Sequence, residues 1–507
     1  KERTCKALFF GAGWFLIRQS ERRIPACVEN DFNKRNEAVF MVFSSLFFLY
    51  LFLPLCLLVY WLAPKIEYKN NVLLLFSLIF YAWGEPLWVL LLVFSATANY
   101  LFGLLIEKYR GKAGAKTALV SSLVLNLGLL FLFKYSAFTA ENINALFSIH
   151  LPVPNIRLPI GISFYTFQTI SYVVDCYWEK IRAQRSYSKF LLYVSMFPQL
   201  VAGPIVRYST IEPELSKRYA TAHDISEGLT RIMIGLGKKV ILSNHLSTIV
   251  DAFFTGDLDH VSVVGTWYAV AVYAMQIYFD FSGYSDMAIG LGRLFGFHFD
   301  ENFRHPFLCK DITEFWQRWH ISLGTFFRDY LLYIPIFGKR RAYGGLFLVW
   351  FCTGLWHGAS WNYIIWGLYF GIFICFERLL GKKRIKQIPV AVRHIYSKIV
   401  IVIGFGIFYF EKLPQLGQFF KNLIGVGSNG FIDEFTKLSV ANNLYLLIGA
   451  VICCFPVVET LEKLAKKSEG RQLAFGVLQA ACNGVLLVTS SILLVDATNN
   501  PFLYFRF

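Results

Sequence analysis

The composition of this 507-residue chain is that of a membrane protein. Hydrophobic residues make up 56% of it, aromatic residues 18% and charged residues only 16%, and the mean hydropathy is +0.49. Because a soluble domain is about one quarter charged, this balance excludes a disordered chain, a coiled coil and a collagen-like protein, and it argues against a soluble enzyme. We therefore predict an all-α, multi-pass protein of the cell membrane, built as one helix bundle.

The charge distribution also fits a membrane protein. The chain carries 49 Lys and Arg residues against 33 Asp and Glu, a formal net charge of +16. The basic residues form short clusters between apolar runs, which is typical of loops that face the cytoplasm and anionic lipid. No basic stretch is interleaved with aromatic residues, so we expect no nucleic-acid partner. The ten cysteines form no CxxC pair and most lie in apolar runs, so we expect neither a disulfide framework nor a metal site.

The first forty residues differ from the rest of the chain. Residues 1–40 are mixed and polar, and Met41 opens an apolar run, MVFSSLFFLYLFLPLCLLVYWLA, that is long enough to span a bilayer. We expect 1–40 to be an N-terminal extension outside the membrane domain, which we place at 41–507.

Apolar segments recur through the membrane domain, and several are short or broken by Gly and Pro. They lie near 41–63, 71–83, 86–106, 117–135, 158–178, 190–205, 228–255, 262–283, 344–357, 360–380, 399–413, 443–457 and 473–495. We predict about ten to twelve transmembrane helices plus re-entrant helices.

The Lys and Arg bias predicts which loops face the cytoplasm. Basic clusters lie at 107–116, 179–189 and 381–398, whereas 138–157 and 414–441 carry no net positive charge. We place the first three loops in the cytoplasm and the other two outside. No internal repeat is visible, and we expect few Lys–carboxylate pairs inside apolar segments; both points argue against an ion-coupled transporter.

Two histidines, each preceded by Trp, are the main candidates for chemistry. His320 lies in FWQRWHIS and His357 in TGLWHGAS. If the first segment is one helix, Trp316 and Gln317 share the face of His320, and Glu314 pairs with Arg318. On a helix, Gly354 and Ser360 would flank His357. A titratable side chain inside an apolar segment is a functional candidate, although a packing role is the alternative for either histidine alone.

The sequence around these histidines resembles the membrane-bound O-acyltransferase (MBOAT) family, and within it the alginate O-acetyltransferase, or AlgI-type, branch. The similar central segments are YFDFSGYSDMAIGLGRLFGF, ENFRHPF, FWQRWHISLGTFFRDYLLYIP and GLWHGASWNYIIWG. The segments MVFSSLFFLYLFLP, PIGISFYTFQTISYVVDCYW, FPQLVAGPI and NPFLYFRF extend the resemblance over 41–507.

The resemblance implies a ring of helices around a thinned centre, where a cytoplasmic funnel meets an outer one. It also implies that His357 and His320 are the family's two functional histidines. An acetyl group from a cytoplasmic donor or carrier, with acetyl-CoA as a candidate and no bound cofactor, would pass to hydroxyls of an exported or cell-surface polysaccharide. Membrane lipids and extracytoplasmic acetyl-esterase-like proteins would be further partners.

Chemistry suggests roles for these residues. A neutral imidazole suits removal of a proton from an attacking hydroxyl, so we take His357 as general base and His320 as the group that orients acceptor or carbonyl, with exchanged roles as the alternative. Tryptophans near them either stack on substrate or pack, and the basic residues Arg318, Arg328, Lys339, Arg340 and Arg341 either attract an anionic donor or set topology. The candidate substrate-binding residues are Trp316, Arg318, Trp319, Arg328, Trp356 and Asn362.

Two other functions remain open at this point. One is transfer of D-alanine or another acyl group to teichoic acid or peptidoglycan, which uses the same chemistry. The other is a polysaccharide or lipid transporter with no catalysis of its own.

Overall fold

The structure, a computed structural model, describes residues 41–201, 203–332, 342–427 and 429–496, and every regular element in these ranges is a helix. The predicted extension at 1–40 and the basic residues at 339–341 lie outside them. The first helices are α1 (Leu53–Leu62), α2 (Ile66–Gly84), α3 (Trp88–Lys108), α4 (Ala113–Leu130), α5 (Ser136–Phe147), α6 (Ile162–Tyr177), α7 (Tyr187–Ser195) and α8 (Phe197–Leu200).

The central helices follow in the same order. They are α9 (Tyr208–Ser216), α10 (Ala222–Gly237), α11 (Asn244–Phe254), α12 (Val263–Leu294), α13 (Ile312–Trp316), α14 (Ile321–Tyr330), α15 (Ala342–His357) and α16 (Trp361–Gln387). The last are α17 (Val390–Tyr409), α18 (Leu413–Leu423), α19 (Glu434–Asn442), α20 (Leu444–Cys453), α21 (Val457–Ala465) and α22 (Glu469–Asp496). Three π-helical turns occur at Phe48–Phe52, Phe131–Tyr135 and Lys238–Ser243, and a 3-10 turn at Pro306–Leu308.

The described residues contain fewer long apolar helices than the ten to twelve spans expected. Five elements are long and apolar enough to cross a membrane, namely α3, the run Ala113–Phe147, α16, α17 and α22. The pair α19 and α20, bent by 63°, would make a sixth. The predicted segments 190–205 and 228–255 are divided into short pieces, and the long α12 carries the polar residues Gln276, Asp280 and Asp286. The spans beyond these six stay a prediction.

Contacts between loops agree with the topology expected from charge. Glu107 accepts a hydrogen bond from the Ala183 backbone N–H at 2.8 Å and pairs with Arg185 at 3.0 Å, so the loops near 110 and 185 lie on one side. The indole N–H of Trp361 donates to Asn142 at 2.9 Å, which places the start of α16 beside α5. Because α16 is long and apolar enough to cross a membrane, we expect the loop near 390 on the side opposite to Asn142.

This arrangement predicts opposite labelling of two introduced cysteines. Val390 and Phe147 are 52% and 65% exposed, so each tolerates a cysteine and a probe. In intact cells, a membrane-impermeant maleimide is expected to label Phe147→Cys, and to label Val390→Cys only after permeabilisation, because basic loops are retained in the cytoplasm. The parent protein gives the background from native cysteines. Labelling of Val390→Cys in intact cells would overturn the topology.

Two apolar clusters form the core, and α12 belongs to both. Its first half, through Phe279, packs in a cluster with α11, α17 and α18. Its second half, from Phe281 onward, packs in a cluster with α2, α6 and α7. Trp319 belongs to the cluster with α11, α17 and α18, and Trp356 belongs to the cluster with α2, α6 and α7. The predicted site therefore lies where the two clusters meet.

Small residues let α12 approach α10 closely. A Cβ added at Gly290 would lie 2.5 Å from the carbonyl oxygen of Gly228, and one added at Gly228 would lie 2.8 Å from that of Gly290. Gly235 and Gly283 form a second crossing of the same kind. Gly290, in the segment GLGRLFG, is therefore a site of close helix approach.

The interface between α10, its following π turn and α12 holds more buried charge than we expected. Lys239 pairs with Asp280 at 2.5 Å, and both side chains are at most 3% exposed. Asp286 pairs with Lys238 at 2.7 Å and with Arg231 at 2.8 Å. The partners of each pair lie far apart in the sequence and at no fixed spacing, so a sequence pattern does not predict them. The expected scarcity of Lys–carboxylate pairs was therefore wrong, and it no longer argues against transport.

Candidate functional site

The first histidine of the site, His357, is the last residue of α15. Glycines fix α15 against α16: a Cβ at Gly354 would overlap the carbonyl oxygen of Tyr363, and one at Gly367 would overlap that of Trp350. The helix ends at His357, and Ser360, with extended backbone, lies at the N-cap position of α16 instead of continuing α15. Gly354 and Ser360 therefore do not flank His357 on one helix, as they would on a continuous one, because the helix stops before Gly358 and the chain bends at Ala359 and Ser360.

Aromatic rings enclose the His357 imidazole, which is 4% exposed. Its centroid lies 4.9 Å from that of Trp356, 4.7 Å from Trp366 and 5.1 Å from Phe408, each with an edge-to-face geometry. Three rings at such angles restrict rotation of the imidazole. The histidine is held in one orientation by packing.

His320 lies at the N-terminal end of α14 and not within a helix. Its backbone is left-handed, with φ 44° and ψ 55°, and α13 ends at Trp316. FWQRWHIS is therefore not one helix, so the condition under which Trp316 and Gln317 would share a helical face with His320 is not met. The predicted pair between Glu314 and Arg318 is confirmed, at 2.7 Å. A non-glycine residue in the left-handed region costs about 1–3 kcal/mol and is a feature of functional sites.

Asn302 holds this strained turn from the loop after α12. Its side-chain oxygen accepts hydrogen bonds from the Ser322 backbone N–H at 3.2 Å and the Ser322 hydroxyl at 2.9 Å. Its backbone carbonyl accepts from the Ile321 N–H at 2.9 Å, and its amide nitrogen donates to Ser285 at 3.1 Å. Because a backbone N–H can only donate, these bonds establish which end of the Asn302 amide is oxygen.

The same oxygen determines the tautomer of His320. The His320 Nδ1 lies 3.1 Å from Asn302 Oδ1. An amide oxygen can only accept, so Nδ1 carries the proton and donates it. In the neutral ring the basic lone pair then belongs to Nε2. The arrangement prepares His320 to accept a proton or a hydrogen bond through Nε2.

Trp356 brings the two histidines together. Its ring centroid lies 5.6 Å from that of His320 and 4.9 Å from that of His357. On its other sides it contacts Phe164 at 5.5 Å and Phe167 at 6.1 Å, both from α6. Histidines 37 positions apart in the sequence thus flank one indole.

The π turn between α4 and α5 holds the end of α15. The Lys134 ammonium donates to the Trp356 carbonyl oxygen, and the Tyr135 hydroxyl donates to that of Leu355 at 2.8 Å. The last carbonyls of a helix have no partner within the helix, and a cation there also interacts favourably with the helix dipole. Two consecutive residues therefore fix the turn that carries His357.

A cavity of about 60 Å³ lies beside His357. Its walls are residues 158–164, Val201, Lys134, Trp356 and His357. One water molecule needs roughly 10–15 Å³ of cavity volume measured in this way, so the cavity has room for about four waters or for a group the size of an acetyl. Residues 158–161 belong to the loop that follows the predicted outer segment.

Comparison with known proteins identifies the family. The model of the membrane-bound O-acyltransferase family matches residues 180–414. The chain is 38% identical over 431 residues to "Probable alginate O-acetylase AlgI" of Pseudomonas aeruginosa, covering 82% of this chain and 81% of that protein. The Azotobacter vinelandii protein of the same name is 36% identical over 92% of this chain and 100% of its own length. "Peptidoglycan O-acetyltransferase" of Helicobacter pylori is 30% identical over 92% and 98%, respectively.

The chain belongs to the membrane-bound O-acyltransferase family. It is a multi-pass membrane enzyme of that family, and it is similar to the AlgI-type branch, as the sequence segments suggested.

The remaining predicted site residues of this acyltransferase lie at varied positions. Trp316 packs on Trp350, Trp366 and Phe370, one ring behind His357. Trp319 is buried among Phe303, Phe315 and Phe405. Arg318 pairs with Glu314, and Arg328, 58% exposed, pairs with Asp329 at 2.7 Å. Asn362 donates to the carbonyls of Ile407 and Phe408, at 3.3 and 3.2 Å. Trp356 alone of these residues contacts both imidazoles.

Sequence reasoning missed three residues of the site: Lys134, Asn302 and Ser322. Lys134 had a signal, because it is a cation inside the apolar run LLFLFKY, where a charge is costly and marks function. Asn302 and Ser322 lie in the segments ENFRHPF and FWQRWHIS, which carry the family resemblance, but nothing within those segments marks either residue as a partner of His320. Asn302 follows a charged loop segment, and its proximity to His320 arises from the turn before α14.

Proposed function

We propose that this acyltransferase moves an acetyl group from a cytoplasmic activated donor to hydroxyls of an exported or cell-surface polysaccharide, of the alginate kind. The observation that carries the proposal is the pair of buried histidines flanking Trp356, beside a cavity of acetyl size. The names of the similar proteins, alginate O-acetylase and peptidoglycan O-acetyltransferase, support a carbohydrate acceptor and an acetyl group.

In the proposed reaction His357 is the general base. The hydroxyl oxygen of the acceptor forms a bond to the acyl carbon of a thioester while its proton passes to the imidazole. The resulting tetrahedral oxyanion expels a thiolate, which takes the proton back from the imidazolium. His320 orients the acceptor, because its Nε2 accepts a hydrogen bond from a neighbouring hydroxyl of the sugar.

The donor and protein partners are part of the same proposal. A thioester such as acetyl-CoA fits the chemistry, and the exposed Arg328 is a candidate for its phosphates. Trp356 forms a wall of the cavity and is the tryptophan we assign to substrate contact. Acetyl-esterase-like proteins outside the membrane would take part in the fate of the acetylated polymer.

A transfer assay on purified protein tests the function. The protein in lipid nanodiscs is incubated with radiolabelled acetyl-CoA and oligomers of mannuronate, and we expect labelled ester on the oligomers that mild alkali releases. Peptidoglycan fragments and teichoic acid, offered in parallel with their acyl donors, test the first alternative. Label on these acceptors and none on the uronate oligomers would refute the alginate-like assignment. Movement of polymer across vesicle membranes without ester formation would favour a transporter.

A further inference from the structure

Lys134 is a cation in the transfer cavity that the proposed reaction does not yet use. It lies within Ala113–Phe147, one of the apolar runs long enough to cross a membrane. Its ammonium donates to the Trp356 carbonyl and lies 5.9 Å from the centroid of the Trp356 ring. Among the described residues, no carboxylate forms an ion pair with it. Lys134 and His357 line the same cavity.

The hydrogen bond from Lys134 to the end of α15 does not itself require a charge, and the favourable interaction with the helix dipole offsets only part of the cost of burying an ammonium. One hydrogen bond to a helix-terminal carbonyl could come from a neutral donor, as the adjacent Tyr135 hydroxyl shows at Leu355. Burial of an ammonium without a carboxylate is expensive in an apolar segment. The ammonium has three N–H donors, and the Trp356 carbonyl takes one of them. A positive charge at this place suits an anion that forms in the cavity during turnover.

We propose that Lys134 is a catalytic residue that stabilises the oxyanion of the tetrahedral intermediate. The inference rests on the proposed function. When the acceptor oxygen bonds to the acyl carbon, the carbonyl electron pair moves onto the carbonyl oxygen, and the hydroxyl proton moves to His357. An N–H of Lys134 donates to that oxygen until the carbonyl re-forms and the thiolate leaves. Since His357 and Lys134 are walls of one small cavity, a single acyl group there reaches both.

The test is the kinetics of Lys134→Gln in the nanodisc assay. Glutamine keeps an N–H donor for the Trp356 carbonyl and removes the charge. Loss of one oxyanion donor typically costs about 10²–10³ in kcat, so we expect kcat to fall by that factor while the acceptor KM changes by less than about threefold. Lys134→Arg, which keeps the charge, should retain more activity than Lys134→Gln. Lys116→Gln, at an exposed position of α4, is the matched control.

Two further variants separate catalysis from a structural role. Tyr135→Phe removes the neighbouring bond to α15 and leaves the charge, so its kcat should fall much less than that of Lys134→Gln. Lys134→Cys treated with 2-bromoethylamine regains an ammonium at nearly the original reach. Its kcat should rise at least tenfold over the untreated variant, with treated wild type as the control for native cysteines. The rescue shows that the rate requires an ammonium at this place, and the comparison with Tyr135→Phe separates that requirement from support of the end of α15.

Several results would overturn the proposal. They are a Lys134→Gln variant with wild-type kcat, an equal loss in Tyr135→Phe, or no recovery of Lys134→Cys after alkylation. A rise in KM confined to acidic acceptors, with unchanged kcat, would assign Lys134 to the acceptor carboxylate instead. Wild-type protein that transfers no acetyl group would count against the proposed function, whereas an active wild type with an equally active Lys134→Gln counts against Lys134 alone.

Discussion

Replacement of His357 by alanine is expected to abolish acetyl transfer while the helix bundle stays folded. The imidazole is enclosed by the rings of Trp356, Trp366 and Phe408, so alanine removes the proposed base and a limited amount of packing. Removal of a general base costs about 10²–10⁴ in rate. His357→Gln should be nearly as inactive, because an amide keeps the shape of the ring but cannot take a proton. The measurement is the initial rate on purified protein.

Thermal unfolding in detergent is the control for these variants. We expect His357→Gln to unfold within a few degrees of the wild type, since it keeps most of the side-chain volume. A folded His357→Gln enzyme that retains most of its rate would show that His357 is not the base.

His320 is expected to respond differently to the same two substitutions. His320→Ala should lower the rate by about 10²–10⁴, as for His357 or somewhat less. If His320 only orients the acceptor through Nε2, glutamine can place an acceptor oxygen near that position, and His320→Gln should recover at least tenfold over alanine. Asn302 accepts a hydrogen bond from the proton-bearing Nδ1 of His320 and so keeps Nε2 as the acceptor. The single substitution Asn302→Leu, with His320 intact, should therefore reduce the rate.

The comparison of variants decides between the two assignments. In a His320→Gln background, Asn302→Leu should have little further effect on rate if Asn302 acts through the His320 ring. Equal and complete loss in both His320 variants, together with residual activity in His357→Gln, would exchange the roles of the histidines. The acceptor KM provides a second readout, because an orienting residue affects it and a residue with a purely structural role elsewhere does not.

The fold class and the two histidines could be predicted from the sequence because both signals are local. Apolar runs identify the helices, and the segments around His320 and His357 carry the family resemblance. The turn at His320 could not be predicted, since its left-handed backbone depends on bonds from Asn302, 18 positions earlier. A helical pattern in FWQRWHIS is stronger than any local sign of a break. Tertiary contacts supplied the missing information.

The buried polar contacts were equally hidden. Lys134 lies 222 positions before Trp356, to whose carbonyl oxygen it donates. Lys239 pairs with Asp280 across a helix interface. Neither pair has a characteristic spacing from which it could be predicted. Among the predicted tryptophans, only the packing of each ring against its neighbours separates Trp356, between the histidines, from Trp319, inside an apolar cluster.

The π turn at Phe131–Tyr135 makes this part of the chain sensitive to length. A π turn holds one residue more than the α-helical register, and such turns are frequent at functional sites. Each α-helical residue turns the chain by about 100° and advances it by 1.5 Å. Deleting one residue here would allow a regular helix, and the gene would still encode an uninterrupted apolar run. The deletion would nevertheless rotate Lys134 and Tyr135 away from the carbonyl oxygens of Trp356 and Leu355 to which they donate. A homologue with a gap at this place must therefore hold the helix that carries its histidine by other contacts.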